Sequence, residues 1–181
     1  MPVTSPPAKR GPGRPRSEDT DESISFTVLK LLETDQALSV EAVAKRAGVG
    51  KPTIYRRLRD DGLPDLIALA LPRAQEGLLP PGKQRPREVT ALCAAVAGRL
   101  TSPVQRRILA HLGRDPARLT QYLQPVAAAL RAGLDKGADP DAAVQMLLVT
   151  VVGSALLAAD ASAAHDSALG LTAAYLAGTQ G

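Results

Sequence analysis

The sequence predicts an all-α protein. Apolar residues recur at helical intervals in one segment after another, and the separators between them are short and built of Gly, Pro, Asp and Ser. No stretch alternates apolar and polar residues at the two-residue period of a half-buried strand. The expected arrangement is a flexible basic arm over 1–20, a three-helix unit over 21–62, and a larger helical bundle over 63–181.

The arm comes first. Residues Met1 to Arg16 carry Lys9, Arg10, Arg14 and Arg16, no acid, and many Pro and Gly, so they cannot bury enough apolar surface to fold alone. Its core, Gly13-Arg14-Pro15-Arg16, resembles the hooks with which DNA-binding tails enter a narrow minor groove, where negative potential favours a guanidinium. A floppy, solvating tail is the other reading of the same residues. A helix is then expected from about Ser23 to Glu33, with the lone Phe26 packed inside. The acids Glu18, Asp19, Asp21 and Glu22 sit at its N-terminal side, where the helix dipole favours negative charge.

The next segment, SVEAVAKRAGVGKPTIYRRL from Ser39 to Leu58, holds the most information. Val40, Val43, Ala44 and Ala47 form one apolar stripe, with Glu41, Lys45 and Arg46 on the wet face. Ser39 is a good N-cap, because its hydroxyl can accept from a backbone N–H left unpaired in the first turn. Gly48 stands where the chain must leave the helix, and Gly enters the left-handed conformation without steric cost. Val49 is the natural plug between two helices. Gly50 can cap the second helix, and Lys51-Pro52 form its first turn, where proline's missing N–H costs nothing. Ile54 and Leu58 point inward, leaving Lys51, Thr53, Tyr55, Arg56 and Arg57 along the outer sides. From Lys45 to Arg59 there are six basic residues and no acid. A short second helix with donors and small apolar groups at its start suits the major groove of DNA.

The stretch AVAKRAGVGKPTIYRRL resembles the helix-turn-helix of the TetR family of bacterial transcription regulators, over about the first third of the chain. The resemblance implies that Lys51 and Arg56 reach base edges and that Pro52 touches a thymine methyl. It implies phosphate contacts for Thr53, Tyr55 and Arg57; the capping Ser39, and Arg14 and Arg16 of the arm as minor-groove contacts, complete the residues expected at DNA. Family members commonly carry a Lys just before the fourth helix; here Asp61 takes that position within what looks like a small insertion, Arg59 to Pro64. Loss of one phosphate contact weakens binding and flattens its salt dependence by about one unit of slope, unless Arg57 or Arg59 substitutes.

Charge follows the same division. The chain of 181 residues has a formal charge of +4. Residues 1–60 hold 11 basic and 8 acidic side chains, whereas residues 61–181 hold 11 and 10, so the excess lies where DNA would. A single cysteine, Cys93, excludes an intrachain disulfide, and the N-terminus reads as no signal peptide; the expected location is cytoplasmic.

Beyond Leu63 the expected helices run from Pro64 to about Glu76, about Arg87 to Leu100, Pro103 to Leu112, Pro116 to Leu134, Pro140 to Ala159 and His165 to Ala177. Ser162-Ala163 is the expected last break, and Pro125 suggests a kink. The run DAAVQMLLVTVVGSALLAA is apolar almost all round, but it falls short of the roughly 20 residues of a membrane span and includes Gln145, Thr150 and Ser154. Its small residues Gly153, Ser154, Ala155 and Ala158 suit close helix approach. The TetR resemblance implies that the last two helices of two subunits form a four-helix dimer interface, here with Met146, Thr150, Gly153 and Leu157. Two reading helices would then lie about 34–36 Å apart on a near-palindromic operator.

The resemblance also implies a small-molecule effector in the bundle that shifts head spacing and releases the operator. Three residues are candidates to meet it. Cys93 is a small core residue or a thiol sensor; His111 is a pocket group, a pH-sensitive group or a surface residue; Tyr122 offers a hydroxyl to a ligand or simply packs. Nothing in the spacing points to catalysis: there is no His pair, Cys cluster, phosphate-cradling Gly loop or Ser-centred elbow, so no enzyme activity, cofactor or metal is expected. The expected function is a ligand-responsive, sequence-specific DNA-binding regulator, a repressor acting as a homodimer. Its rival is an architectural or helical interaction protein that binds DNA with little sequence preference.

Overall fold

The computed structural model describes residues 16–34, 36–58, 62–134 and 139–178, the side chains of Arg16, Ser17 and Leu63 excepted. Arg14, Arg59 and Asp61 lie outside the described residues, and with them the expected gap in the phosphate contacts and the expected minor-groove hook except for Arg16, whose backbone opens the first helix. Among the described residues the chain is all-helical, with no strand. Its helices are α1 (Arg16–Glu33), α2 (Val40–Ala47), α3 (Lys51–Tyr55), α4 (Leu63–Glu76), α5 (Val89–Leu100), α6 (Pro103–Leu112), α7 (Pro116–Gly133), α8 (Pro140–Leu157) and α9 (Ala161–Gly178), with a short 3₁₀ turn at Gly82–Gln84.

Three expectations need correction. The first helix begins at Arg16, not near Ser23, because Glu18 and Asp19 supply the negative first turn that its dipole favours, and Asp21 and Glu22 are held by Arg57 and Arg73. Residues 16–20 therefore belong to a helix rather than to a flexible arm. Phe26 is 49% exposed instead of buried; its ring carries the guanidinium of Arg73 at 5.6 Å and the ammonium of Lys30 at 5.9 Å, an arrangement that shields the ring without enclosing it. The last helix starts at Ala161, ahead of the expected break, since the Asp160 carboxylate accepts from the Ala163 N–H at 2.9 Å and so caps the helix there. In α7 the helix runs continuously past Pro125.

The core follows from the stripes. Ile24, Val28 and Leu31 of α1, Val40 and Val43 of α2, Ile54 of α3 and Leu66, Ile67 and Ala70 of α4 are buried and belong to one hydrophobic cluster. That cluster continues through Leu92, Cys93 and Val96 of α5, Ile108 and Leu112 of α6, Tyr122 and Leu130 of α7, Leu147 and Val151 of α8, and Ala164 and Ala168 of α9. The closest packing is α5 on α9, where small residues face each other; a Cβ on Gly98 would stand 3.3 Å from the Ala161 carbonyl oxygen.

Polar side chains of α6 tie the ends of α1, α4 and α8 together. Gln105, Arg106 and Arg107 of α6 donate to the carbonyls of Ala74 at 3.1 Å, Ala158 at 2.6 Å and Leu32 at 2.8 Å, which terminate α4, α8 and α1. The C-terminal carbonyls of a helix lack the i+4 partner of its interior, so these bonds satisfy groups at the helix ends, with the Ala74 carbonyl also accepting from the Gly77 N–H at 3.3 Å. Among the described residues one helix, Pro140–Leu157, is long and apolar enough to cross a membrane by length and composition, and 39% of it is buried inside the fold.

Candidate nucleic-acid interface

The interface begins with two short helices whose ends are both secured. Ser39 accepts from the Ala42 N–H through its Oγ at 3.1 Å and so starts α2. Gly48 ends it in the left-handed conformation, φ 67°, with its N–H donating to the Ala44 carbonyl. The carbonyl of Ala47 accepts from the Ser23 hydroxyl at 3.2 Å, which fastens the end of α2 to α1. Gly50 is the N-cap of α3 without a side-chain bond, and Pro52 stands in its first turn. Ile54 is fully buried, while Val49 and Leu58 pack against the same cluster from partly buried positions.

The second helix is shorter than expected. It ends at Tyr55, after which the chain tightens: Arg57 N–H donates to Ile54 at 2.8 Å, and the Leu58 N–H reaches the same carbonyl at 3.2 Å. Lys51, Pro52, Tyr55 and Arg56 are exposed, and Thr53 is half-buried. Arg57 is held in, its side chain 21% exposed, paired with Asp21 and donating to the Thr53 carbonyl at 2.9 Å. Arg56 reaches the Thr53 hydroxyl at 3.4 Å. Lys51 pairs with Glu41 at 2.9 Å across the turn. That bond and the charge of Lys51 hold the Glu41 carboxyl below its ordinary range, and Glu41 in turn raises Lys51. Six of the residues expected to meet DNA thus share one short segment: Lys51, Pro52 and Tyr55 to Arg57 along the helix and its exit turn, with Thr53 beside them. Ser39 is occupied with its cap.

The three residues considered for an effector do not converge. Cys93 is buried on α5, and burial pushes its thiol up to about 11, a shift that the Thr172 hydroxyl of α9 only partly offsets. The Thr172 hydroxyl oxygen is itself buried, with no hydrogen-bond partner of ordinary geometry among the described residues. A buried, protonated thiol is a poor nucleophile, so the core reading of Cys93 is the one its surroundings support. His111 is half-buried on α6; burial lowers its pKa, and Arg118 and Arg114 add to the effect. Tyr122 is 1% exposed, and its hydroxyl donates to Gln105 Oε1 at 2.6 Å. Burial raises the Tyr122 pKa well above the ordinary phenol value despite that bond.

Tyr122 lines a cleft of about 370 Å³ between α4 and α7 that also takes in Arg57, Asp65, Gln75 and Arg118. A wider groove of about 740 Å³ runs between α7 and α8, bordered by alanines, Gln124, Gln145 and the Arg131–Asp141 pair. On the far side, Thr150, Gly153 and Leu157 of α8 border a third groove, about 480 Å³, with Ala163, Ser167 and Leu171 of α9. Met146, Val149, Leu156, Leu157, Leu169 and Leu171 are exposed on these two helices, Leu157 to 90%.

Spacing in the sequence had no signal for the acids that hold the cations. Glu41 and Lys51 lie ten residues apart across a turn, and Asp21 and Arg57 thirty-six apart, so neither pair belongs to a helical repeat. The chain matches no family model and no curated protein.

Proposed function

We propose that this protein is a DNA-binding transcription regulator of the TetR type, with α1–α3 as a helix-turn-helix head and the remaining helices as an effector-binding and dimerisation bundle. The observation that carries the reading is the α2–α3 pair: a capped helix, a left-handed Gly48, a buried Ile54 and a run of exposed donors on the opposite side of α3. Lys51 and Arg56 supply donors for guanine acceptors, and Thr53, Tyr55 and Arg57 fix the register on phosphates. A homodimer accounts for the exposed apolar side chains of α8 and α9, since an uncovered patch of this kind marks an interaction surface. Two heads then read two half-sites about 34–36 Å apart. In this reading the protein is a repressor, and a small molecule in the bundle lowers operator affinity by favouring another head spacing.

The test is selection of duplexes from a random-sequence pool by the full chain, followed by salt-titrated binding. A regulator retains a strong preference for one near-palindromic sequence at physiological salt, by a factor of about a thousand or more. Lys51→Ala and Arg56→Ala each cost about 1–3 kcal/mol on the selected duplex and relax preference at one base pair per half-site. Selection that enriches no sequence, with affinity falling equally on all duplexes as salt rises, would identify an architectural binder instead.

A further inference from the structure

Two of the cations that the DNA reading needs are already occupied by carboxylates of the chain itself. Lys51 Nζ lies 2.9 Å from Glu41 Oε1, with both side chains more than half exposed. Arg57 is paired with Asp21, a residue two helices away. We infer that Glu41 and Asp21 act as resident stand-ins for DNA, holding the reading cations in the free protein so that a duplex must displace a carboxylate before it gains the contact. The inference rests on the DNA-binding reading.

The other interactions of the Glu41 carboxylate, with its own backbone and with Ser39 at the start of α2, do not involve Lys51. Glu41 sits in the first turn of α2, where any carboxylate is favoured by the helix dipole whether or not Lys51 is near, and Ser39 already caps the helix. The pair joins α2 to α3 at the outer surface, while the inner surface is already joined by Val43, Val49 and Ile54. Because both groups face water, the pair is weak enough for DNA to exchange it, and its removal changes binding by about two- to fivefold rather than by orders of magnitude. Arg57 is held more firmly, because it also donates to the Thr53 carbonyl. Glu41 is therefore a positioning residue, acting through Lys51, and it is the cleaner of the two to test.

The experiment compares Glu41→Gln and Glu41→Asp with the wild-type chain on a fluorescein-labelled random-sequence duplex and on the pool-selected duplex, by anisotropy at low and physiological salt. Glu41→Asp keeps the net charge and the favourable helix start but shortens the reach to Lys51. Both variants should bind about two- to fivefold tighter. Glu33→Gln is the matched control, since it removes one charge from the exposed Lys30–Glu33 pair on α1 and leaves Lys51 alone. In a Lys51→Ala background the gain from either Glu41 variant should vanish, as a double-mutant cycle requires. A purely structural tie would give the opposite sign: a lower melting temperature and unchanged or weaker binding. The inference is overturned if the Glu41 variants bind no tighter than wild type, if Glu33→Gln gains as much, or if the gain persists without Lys51. A wild-type chain that binds neither duplex overturns the DNA reading itself, and is told apart by its lack of any signal.

Discussion

The α2–α3 pair and the α8–α9 pair both present a face to solvent, and the two faces are made of opposite chemistry. On α2, α3 and the exit turn the exposed residues include Glu41, Lys45, Arg46, Lys51, Pro52, Tyr55 and Arg56, several of them already paired within the chain. On α8 and α9 they include Met146, Val149, Leu157, Leu169 and Leu171. Charged groups in water are stable without a partner, whereas a fully exposed large apolar side chain forfeits about 1.5–3 kcal/mol of burial and a half-exposed one proportionately less. The first face is thus stable alone and exchanges partners, while the second gains most from permanent cover. This asymmetry fits the proposed DNA reader assembled from two subunits.

The comparison breaks hardest at α8–α9. Placing charge there with Leu157→Glu and Leu171→Glu should dissociate the proposed dimer, raising its dissociation constant by about three orders of magnitude, roughly 4 kcal/mol. Light scattering checks this, and a wild-type chain that is monomeric at high concentration would remove the dimer reading. The single chain should still fold, since both side chains are exposed in it.

A smaller effect tests the interior between α5 and α9. Cys93 is an acid whose folded pKa, about 11, lies above its ordinary value of 9.0. The folded state therefore holds the proton more tightly, so the stability it contributes is complete below about 9 and is lost as pH rises towards about 11. The loss amounts to about 2–3 kcal/mol, read as a fall in the denaturation midpoint, and Cys93→Ala should flatten that part of the profile. Tyr122, also raised by burial, adds a decline of the same sign that persists in the variant. The thiol should resist alkylation in the native protein at neutral pH.

The smallest change sharpens the view of the head as a unit held by local caps. Ser39→Ala removes the bond to the Ala42 N–H and should cost about 1 kcal/mol in stability, detected as a lower thermal midpoint. An unchanged midpoint would mean that packing of Val43 and Ile54 alone holds α2 in place.

Much of this was readable from the chain. Ser39, Gly48, Pro52 and Ile54 act through their nearest neighbours in sequence, so the cap, the left-handed turn, the first turn of α3 and the buried position came out as the residue types imply. Helices α4 and α6 were equally legible, because a proline at the start and an apolar period of three and four are local signals. Phe26 was misjudged, since its hydrophobicity says nothing of Arg73, forty-seven residues away, which covers its ring. The start of α1 was set too late because acids far from any apolar stripe do not reveal their partners Arg57 and Arg73. The effector candidates share the same limit. Tyr122 meets Gln105 and Cys93 meets Thr172 only once α6, α7, α5 and α9 are packed.

By itself, then, the sequence determined the helical class, the capped α2–turn–α3 pair and the side of α3 that carries the donors, because propensity, capping and amphipathic period all act over a few residues. Only the tertiary structure decided which carboxylates hold Lys51 and Arg57, how α6 closes the ends of α1, α4 and α8, and which apolar side chains of α8 and α9 stay uncovered. Those are relations between residues ten to seventy-five positions apart, and they exist only when folding brings separate helices into contact.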